Sequence, residues 1–448
     1  MHAIHAAVAR LPGRWARDVR IAIDADGRIE SIDEGVAANG AERVVCLLPG
    51  MTNLHSHAFQ RALVGLTEVA SAGDDDFWSW REWMYRFMAR LTPDDVEAIA
   101  AQVYLENLRH GYTSLVEFHY LHNDPDGARY ANPVETSERI VAAARATGIA
   151  LTLAPVLYTY GGFGREPLGN PQRRFAAGVD DVLAMLELLK HHEGIRLGVA
   201  PHSLRAAEPA QIRALVNAAP AAAPLHIHAA EQMREVDDCV AATGRRPLRL
   251  LLDAVGLDAR WCVVHATHLA DDELRDLATS GAVAGLCPST EADLGDGVFR
   301  FVDYTGAGGR FGIGGDSHVC RSPFEELKLL EYSQRLTRRR RNVALHAPGV
   351  AIADALWDAA ASGGAQAAAR DAGTIEVGRH ADLIALSLAG AAADADEPTR
   401  WLSLAVFGGA DAVIERAWVG GRLIPCGEAA TAQRIADRYA RTLRRLIR

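Results

Sequence analysis

The sequence predicts an α/β protein: a (β/α)8 barrel joined to a small β-sandwich domain that draws strands from both ends of the chain. Three observations carry this. Short apolar runs alternate eight times with amphipathic stretches of helical length through the middle of the chain. Six of those eight runs close on a His or an Asp. Strand-like segments with turn glycines sit at both termini, which gives expected boundaries of 1–49 and 371–448 for the sandwich and 50–370 for the barrel.

At 448 residues and 48.2 kDa the chain exceeds the roughly 100–200 residues of one domain, and it can bury a large core without staples. The first strands are expected at residues 19–23 and 28–32, around the turn Ala25-Asp26-Gly27. Barrel strands are expected to end near His57, His119, Leu157, His202, His228, His265, Leu286 and Asp316. The helical pattern falls between them, for example at 93–111, 132–148, 179–192 and 209–219. Residues 373–386 and 412–424, with the Gly420-Gly421 turn, return to strand, and 429–447 reads as a closing amphipathic helix.

Composition narrows the function classes. Apolar residues make up 49% and charged residues 23%, with a mean hydropathy of -0.02, which excludes a disordered or membrane-spanning chain. A net charge of -10 disfavours a nucleic-acid partner, which needs a basic face. The basic run Arg338 to Arg341 follows a helical stretch and reads as a solvated helix end. Cys46, Cys239, Cys262, Cys287, Cys320 and Cys426 are scattered without a CxxC pair, and residues 1–15 lack the apolar stretch of a signal peptide. A reducing cytoplasm is therefore the expected location.

The strand ends carry the chemistry. His55 and His57 flank Ser56, so at a strand end both imidazoles face the barrel mouth and can chelate one ion. Of His226 and His228, the second is the better ligand candidate, because Glu231 follows within reach of the same mouth. His265 ends the sixth strand, and Asp316 ends the eighth after Gly312-Ile-Gly-Gly. That glycine run lacks the Lys and spacing of a phosphate loop. His268 reads as a loop residue. Three imidazoles and a carboxylate suit one divalent ion, Zn²⁺ first, with Fe²⁺ tolerating the same donors. Such an ion lowers the pKa of bound water towards roughly 7. The chain has only two lysines, Lys190 and Lys328, both in helical patterns, which argues against two ions bridged by a carboxylated lysine.

These residues resemble the amidohydrolase superfamily, in its mononuclear deaminase branch. The HxH of strand one, the HxxE of strand five, the His of strand six and the Asp of strand eight match, and residues 373–386 resemble its return segment. Across nearly the whole chain the sequence is similar to formimidoylglutamate deiminases. The segments are Asn53-Leu-His-Ser-His-Ala-Phe-Gln-Arg61, Phe77-Trp-Ser-Trp-Arg-Glu82, Val116-Glu-Phe-His-Tyr120, His202-Ser-Leu-Arg205, His226-Ile-His-Ala-Ala-Glu-Gln232 and Ser289-Thr-Glu-Ala-Asp-Leu-Gly-Asp-Gly297. Gly315 and Asp293 depart from that family, where Ser and Asn are more usual.

The resemblance implies hydrolysis of N-formimino-L-glutamate to N-formyl-L-glutamate and ammonia, in histidine breakdown. It implies that His55, His57, His228 and Asp316 hold the metal and that Glu231 is the acid/base, with His265 orienting the attacking water and Asp316 taking its proton. Gln60, Arg81, Tyr120, His202 and Arg205 would contact the substrate. A homodimer is expected by analogy. Two arginines also suit a small dicarboxylate on physical grounds, since a chain of net charge -10 must supply cations locally. The aromatic segment 77–87 would lie over the metal as a lid, or else form a core helix. The rival readings are a deaminase or chlorohydrolase acting on a guanine-like or triazine ring, and a non-catalytic barrel scaffold. The ring would want stacking groups and neutral amides; the scaffold would have lost ligands that this chain keeps.

Overall fold

The computed structural model describes residues 2–70, 73, 75–345, 349–389, 397–408, 411–424 and 429–447. Cys426 lies outside the described residues. The eight barrel strands are Met51–Ser56, Tyr112–His119, Ala150–Leu157, Ile195–Leu197 with its continuation Ala200–Pro201, Leu225–Ala229, Trp261–His265, Val283–Leu286 and Arg310–Ile313. They form two parallel arcs, strands one to four and five to eight. Parallel bridges Ser56↔Asp316 and Val199↔Leu225 close the barrel at both seams. Strands two and three are buried along their whole length, which is why they read as continuous apolar runs and not as alternation.

Every expected barrel strand is present, with small shifts at the ends. The fourth is split because Val199 turns to its neighbour: its N–H donates to Pro224 O at 3.0 Å, and its carbonyl accepts from His226 N at 3.1 Å. The eighth stops at Ile313, three residues before Asp316, because Gly314 and Gly315 crowd the first strand. A Cβ at Gly314 would lie 2.9 Å from that of His55.

The helices follow their end signals. Pro93–His110 begins on Thr92, whose Oγ1 accepts from Asp95 N at 3.3 Å while Asp95 Oδ2 accepts from Thr92 N at 2.8 Å. Such a cap is worth about 1 kcal/mol. The helix ends at Gly111 with φ 108°, a left-handed stop. Glu135–Thr147, Val179–Leu189 and Pro209–Ala218 fall inside their expected spans.

The terminal strands are His2–Leu11, Arg14–Ile23, Ile29–Asp33, Glu42–Pro49, Leu383–Ala389, Asp411–Val419 and Arg422–Ile424. Among the described residues they form one connected seven-stranded sheet in place of the two stacked sheets of the expected sandwich. Glu42–Pro49 is the reason: it pairs parallel with His2–Leu11 on one side and antiparallel with Leu383–Ala389 on the other, linking both termini. One face buries Ile4, Val19, Ile21, Leu383 and Trp418; Val8, Cys46 and Leu48 join the barrel core. Glu42–Pro49 passes straight into the first barrel strand through Gly50, where a Cβ would lie 2.3 Å from the Thr113 side chain. Of the expected 373–386 strand only the end forms, from Leu383 on, because Gly373 and Gly378 take positive φ and turn the earlier part. The helix Ala429–Ile447 closes on the barrel and not on the sheet: Arg438 pairs with Glu97 and Arg445 with Asp95, both on Pro93–His110.

Candidate active site

The C-terminal ends of the strands meet at one mouth, and the backbone fixes the ligand candidates before any side chain does. His57 N donates to Asp316 O at 3.0 Å, and Asp316 N donates to His55 O at 2.9 Å, so the first and eighth strands are locked together at the site. Five non-glycine residues here hold the left-handed region: Ala230 at φ 54°, His265 at 65°, Ala266 at 49°, Asp316 at 48° and His318 at 61°. Each such residue costs roughly 1–3 kcal/mol, a strain typical of residues re-aimed for function.

His55 Nε2 lies 3.1 Å from His57 Nε2 and 3.0 Å from His228 Nε2. His57 Nδ1 donates to Phe118 O at 2.9 Å and His228 Nδ1 to His202 O at 3.0 Å, which sets the tautomer and leaves their Nε2 lone pairs inward. Burial pushes all three imidazoles towards the neutral form, His57 down to about 3, so at neutral pH they are uncharged rings able to ligate a metal. Asp316 Oδ1 stands 3.6 Å from His55 Nε2 and 3.5 Å from His57 Nε2. Converging lone pairs with no proton between them fit a divalent cation and little else; the set of His55, His57 and His228 is compact enough to hold one.

His265 sits beside this centre, with Nε2 3.6 Å from Glu231 Oε1 and 3.7 Å from Asp316 Oδ2. Burial opposes its charge, but Glu231, Glu291 and Asp316 outweigh that and push it up to about 10. Its Nδ1 faces Glu291 Oε1 at 3.3 Å, a partner that sequence reasoning passed over although Glu291 lies in a quoted segment. Burial pushes Asp316 up to about 7 against the opposing charge of His265. Other histidines serve the fold. His226 bonds Ala367 O at 2.8 Å, His119 bonds Thr136 Oγ1 at 2.9 Å and His268 bonds Asp296 O at 2.8 Å.

The expected substrate contacts line the same cleft as the ligand candidates: Gln60, Arg81, Tyr120, His202 and Arg205. Gln60 Nε2 donates to Tyr120 OH at 2.9 Å, and Tyr120 packs on His57 with ring centroids 4.9 Å apart. Arg205 has 12% of its side chain exposed, and its nearest carboxylate is Glu231, 3.6 Å away. The Nε atoms of Arg81 and Arg205 are buried without a hydrogen-bond partner. Arg81 instead stacks over Trp78 at 4.4 Å and Tyr85 at 5.5 Å.

The aromatic segment is the helix Phe77–Met88, capped by Asp76 Oδ1 on Trp78 N and Ser79 N, both at 2.9 Å. It is both things at once: Phe87 and Met88 are buried in the core, while Phe77, Trp80, Arg81, Met84 and Tyr85 wall the cleft. Tyr158, Phe175 and Leu294 also line it and were not singled out. Tyr158 directly follows the end of the third strand, so the strand-end rule could have found it. Gly315 fits its place, since a Cβ there would lie 2.9 Å from His318 Nδ1; Asp293 is exposed on the rim.

Residues 46–424 match the amidohydrolase family, and residues 1–45 match the N-terminal domain of the formimidoylglutamate deiminase HutF. The chain is 49% identical over 457 residues to a formimidoylglutamate deiminase of Pseudomonas aeruginosa, covering 100% of both. An amidohydrolase from Brucella melitensis superposes with a TM-score of 0.93 at 43% identity, covering 100% of both chains. A zinc complex of an atrazine chlorohydrolase from Arthrobacter aurescens TC1 shares the fold, with a TM-score of 0.82 at 21% identity over 99% of this chain and 100% of that one.

Proposed function

The chain belongs to the amidohydrolase family, and from that premise we propose that it hydrolyses N-formimino-L-glutamate to N-formyl-L-glutamate and ammonia, a step of histidine degradation. One observation carries the reading: two arginines with unmet hydrogen-bonding capacity share a cleft with a three-imidazole, one-carboxylate centre. The full-length similarity to a formimidoylglutamate deiminase supports the same substrate. Five described cysteines are free, which fits a reducing cytoplasm. The sheet built from both termini supports the division at 49 and 371.

His55, His57, His228 and Asp316 would hold one divalent ion, Zn²⁺ first by donor type. When bound, that ion supplies an acidified water at neutral pH. The residues of the chain do the rest. Arg81 and Arg205 each clamp a substrate carboxylate, which places the formimino carbon over the centre. Gln60, Tyr120 and His202 shape the wall against which the backbone of the substrate lies. Asp316 takes the proton of the attacking water while the His265 imidazole orients it. Glu231 hands a proton to the terminal nitrogen, whose bond to carbon then breaks. One water is consumed, one C–N bond is cleaved, and ammonia leaves as the formyl C=O forms.

The test is proton NMR of N-formimino-L-glutamate with zinc-loaded protein, beside an enzymatic ammonia assay. The formimino resonance is expected to convert to a formyl resonance with one ammonia per turnover. Ammonia without the formyl product, or an unchanged spectrum, would overturn the assignment.

A further inference from the structure

Cys287 follows the seventh barrel strand and takes no part in the chemistry above, yet its thiol lies against the centre. Donor atoms of His265, Cys287 and Asp316 all lie within 4.8 Å of one another, and all three residues are buried. His265 Nε2 is buried without a hydrogen-bond partner. Glu291 holds two of the three in a fixed relation: its Oε1 accepts from Cys287 N at 2.9 Å and faces His265 Nδ1 at 3.3 Å. The cysteine packs among Leu54, Cys262 and Val264 in the barrel interior.

We propose that His265, Cys287 and Asp316 form a second, inhibitory site for a soft divalent cation, sharing Asp316 with the His55, His57 and His228 centre. The donor set of one nitrogen, one sulfur and one carboxylate oxygen selects zinc or cadmium over magnesium or calcium. With metal–sulfur bonds of about 2.3 Å and metal–nitrogen bonds of about 2.0 Å, donors around one ion stand about 3.5 Å apart. A carboxylate shared between two ions about 3.5–4 Å apart is an ordinary two-metal arrangement. Binding releases the thiol proton of Cys287 and the imidazolium proton of His265 to solvent, and forms one metal–sulfur and one metal–nitrogen bond. The second ion inhibits because it takes the atoms of His265 and Asp316 that direct the attacking water. The three-histidine set is left intact, so the first ion stays.

The experiment starts from protein carrying one zinc per chain and adds cadmium without substrate. Bound metal is measured after gel filtration, along with the ultraviolet cadmium–thiolate band. Wild type is expected to take up one further equivalent, with a band that saturates with it, and to lose activity in parallel. Cys287→Ala and Cys287→Ser are expected to keep the zinc and the starting activity but lose the further equivalent and the band. Cadmium NMR of wild type gives a reading that needs no variant: one ion bound through a single sulfur. Absence of a second equivalent in wild type, or an unchanged band in both variants, would overturn the proposal. None of the metal readings depends on the substrate assignment.

Discussion

Replacing Arg205 with Met tests the dicarboxylate reading where the structure makes it most exposed to failure. The guanidinium has 12% side-chain exposure, sits 3.6 Å from Glu231 and has a buried Nε with no partner. Phe77 and Trp78 wall it at 5.9 and 5.7 Å. Truncating one side of a buried, hydrogen-bonded charge pair costs about 2–5 kcal/mol. Partial exposure favours the middle of that range, and about 3 kcal/mol corresponds to about 150-fold in kcat/KM. Because Arg205 also neighbours Glu231, part of any loss could come through the acid. A double-mutant cycle separates the two, with substrates lacking either the α-carboxylate or the side-chain carboxylate. If Arg205 holds a carboxylate, one truncated substrate loses little more when the arginine is also gone. Full additivity with both substrates, or a loss under about threefold in R205M, would refute the clamp.

Glu231→Gln is expected to lower kcat by about 10²–10⁴-fold while calorimetry still detects substrate binding. His228→Gln is expected to lower zinc content per chain, whereas His226→Gln keeps the zinc. The second variant should lose only about 1–3 kcal/mol of stability, because its bond is to Ala367 O. Glu326 accepts from Ser289 N at 2.9 Å, and burial pushes its carboxyl up to about 8. Its folded pKa lies above the unfolded value, so its contribution is complete in acid and lost as pH rises through about 8. Denaturant midpoints should therefore fall more steeply from pH 6 to 9 in wild type than in Glu326→Gln.

Much of this was legible in the sequence for a physical reason. Parallel barrel strands are buried on both faces, so each shows as an apolar run, and a His or Asp closing such a run has little use in a core. That exposed His55, His57, His228, His265 and Asp316 together. The choice between His226 and His228 rested on Glu231 alone, and the structure adds the reason: the two share a strand face, but His226 lies two residues further from the strand end and is bonded to Ala367 O. Less was legible where tertiary contacts decide. His2–Leu11 carries His and Arg among its alanines and escapes a strand pattern, yet it lies inside the terminal sheet between Arg14–Ile23 and Glu42–Pro49. Glu291 sits in an ordinary local context and gains meaning only from what the barrel brings beside it. The terminal helix has an unmistakable amphipathic pattern, but a pattern does not name its partner; Glu97 and Asp95 do.

The most direct test of the central claim is kcat/KM of the zinc-loaded protein for N-formimino-L-glutamate, measured beside guanine and a chlorotriazine. A preference of at least 10³-fold for the linear dicarboxylate, about 4 kcal/mol, is predicted from two charged clamps that a neutral ring leaves unpaired. Equal or faster turnover of either ring compound would contradict it.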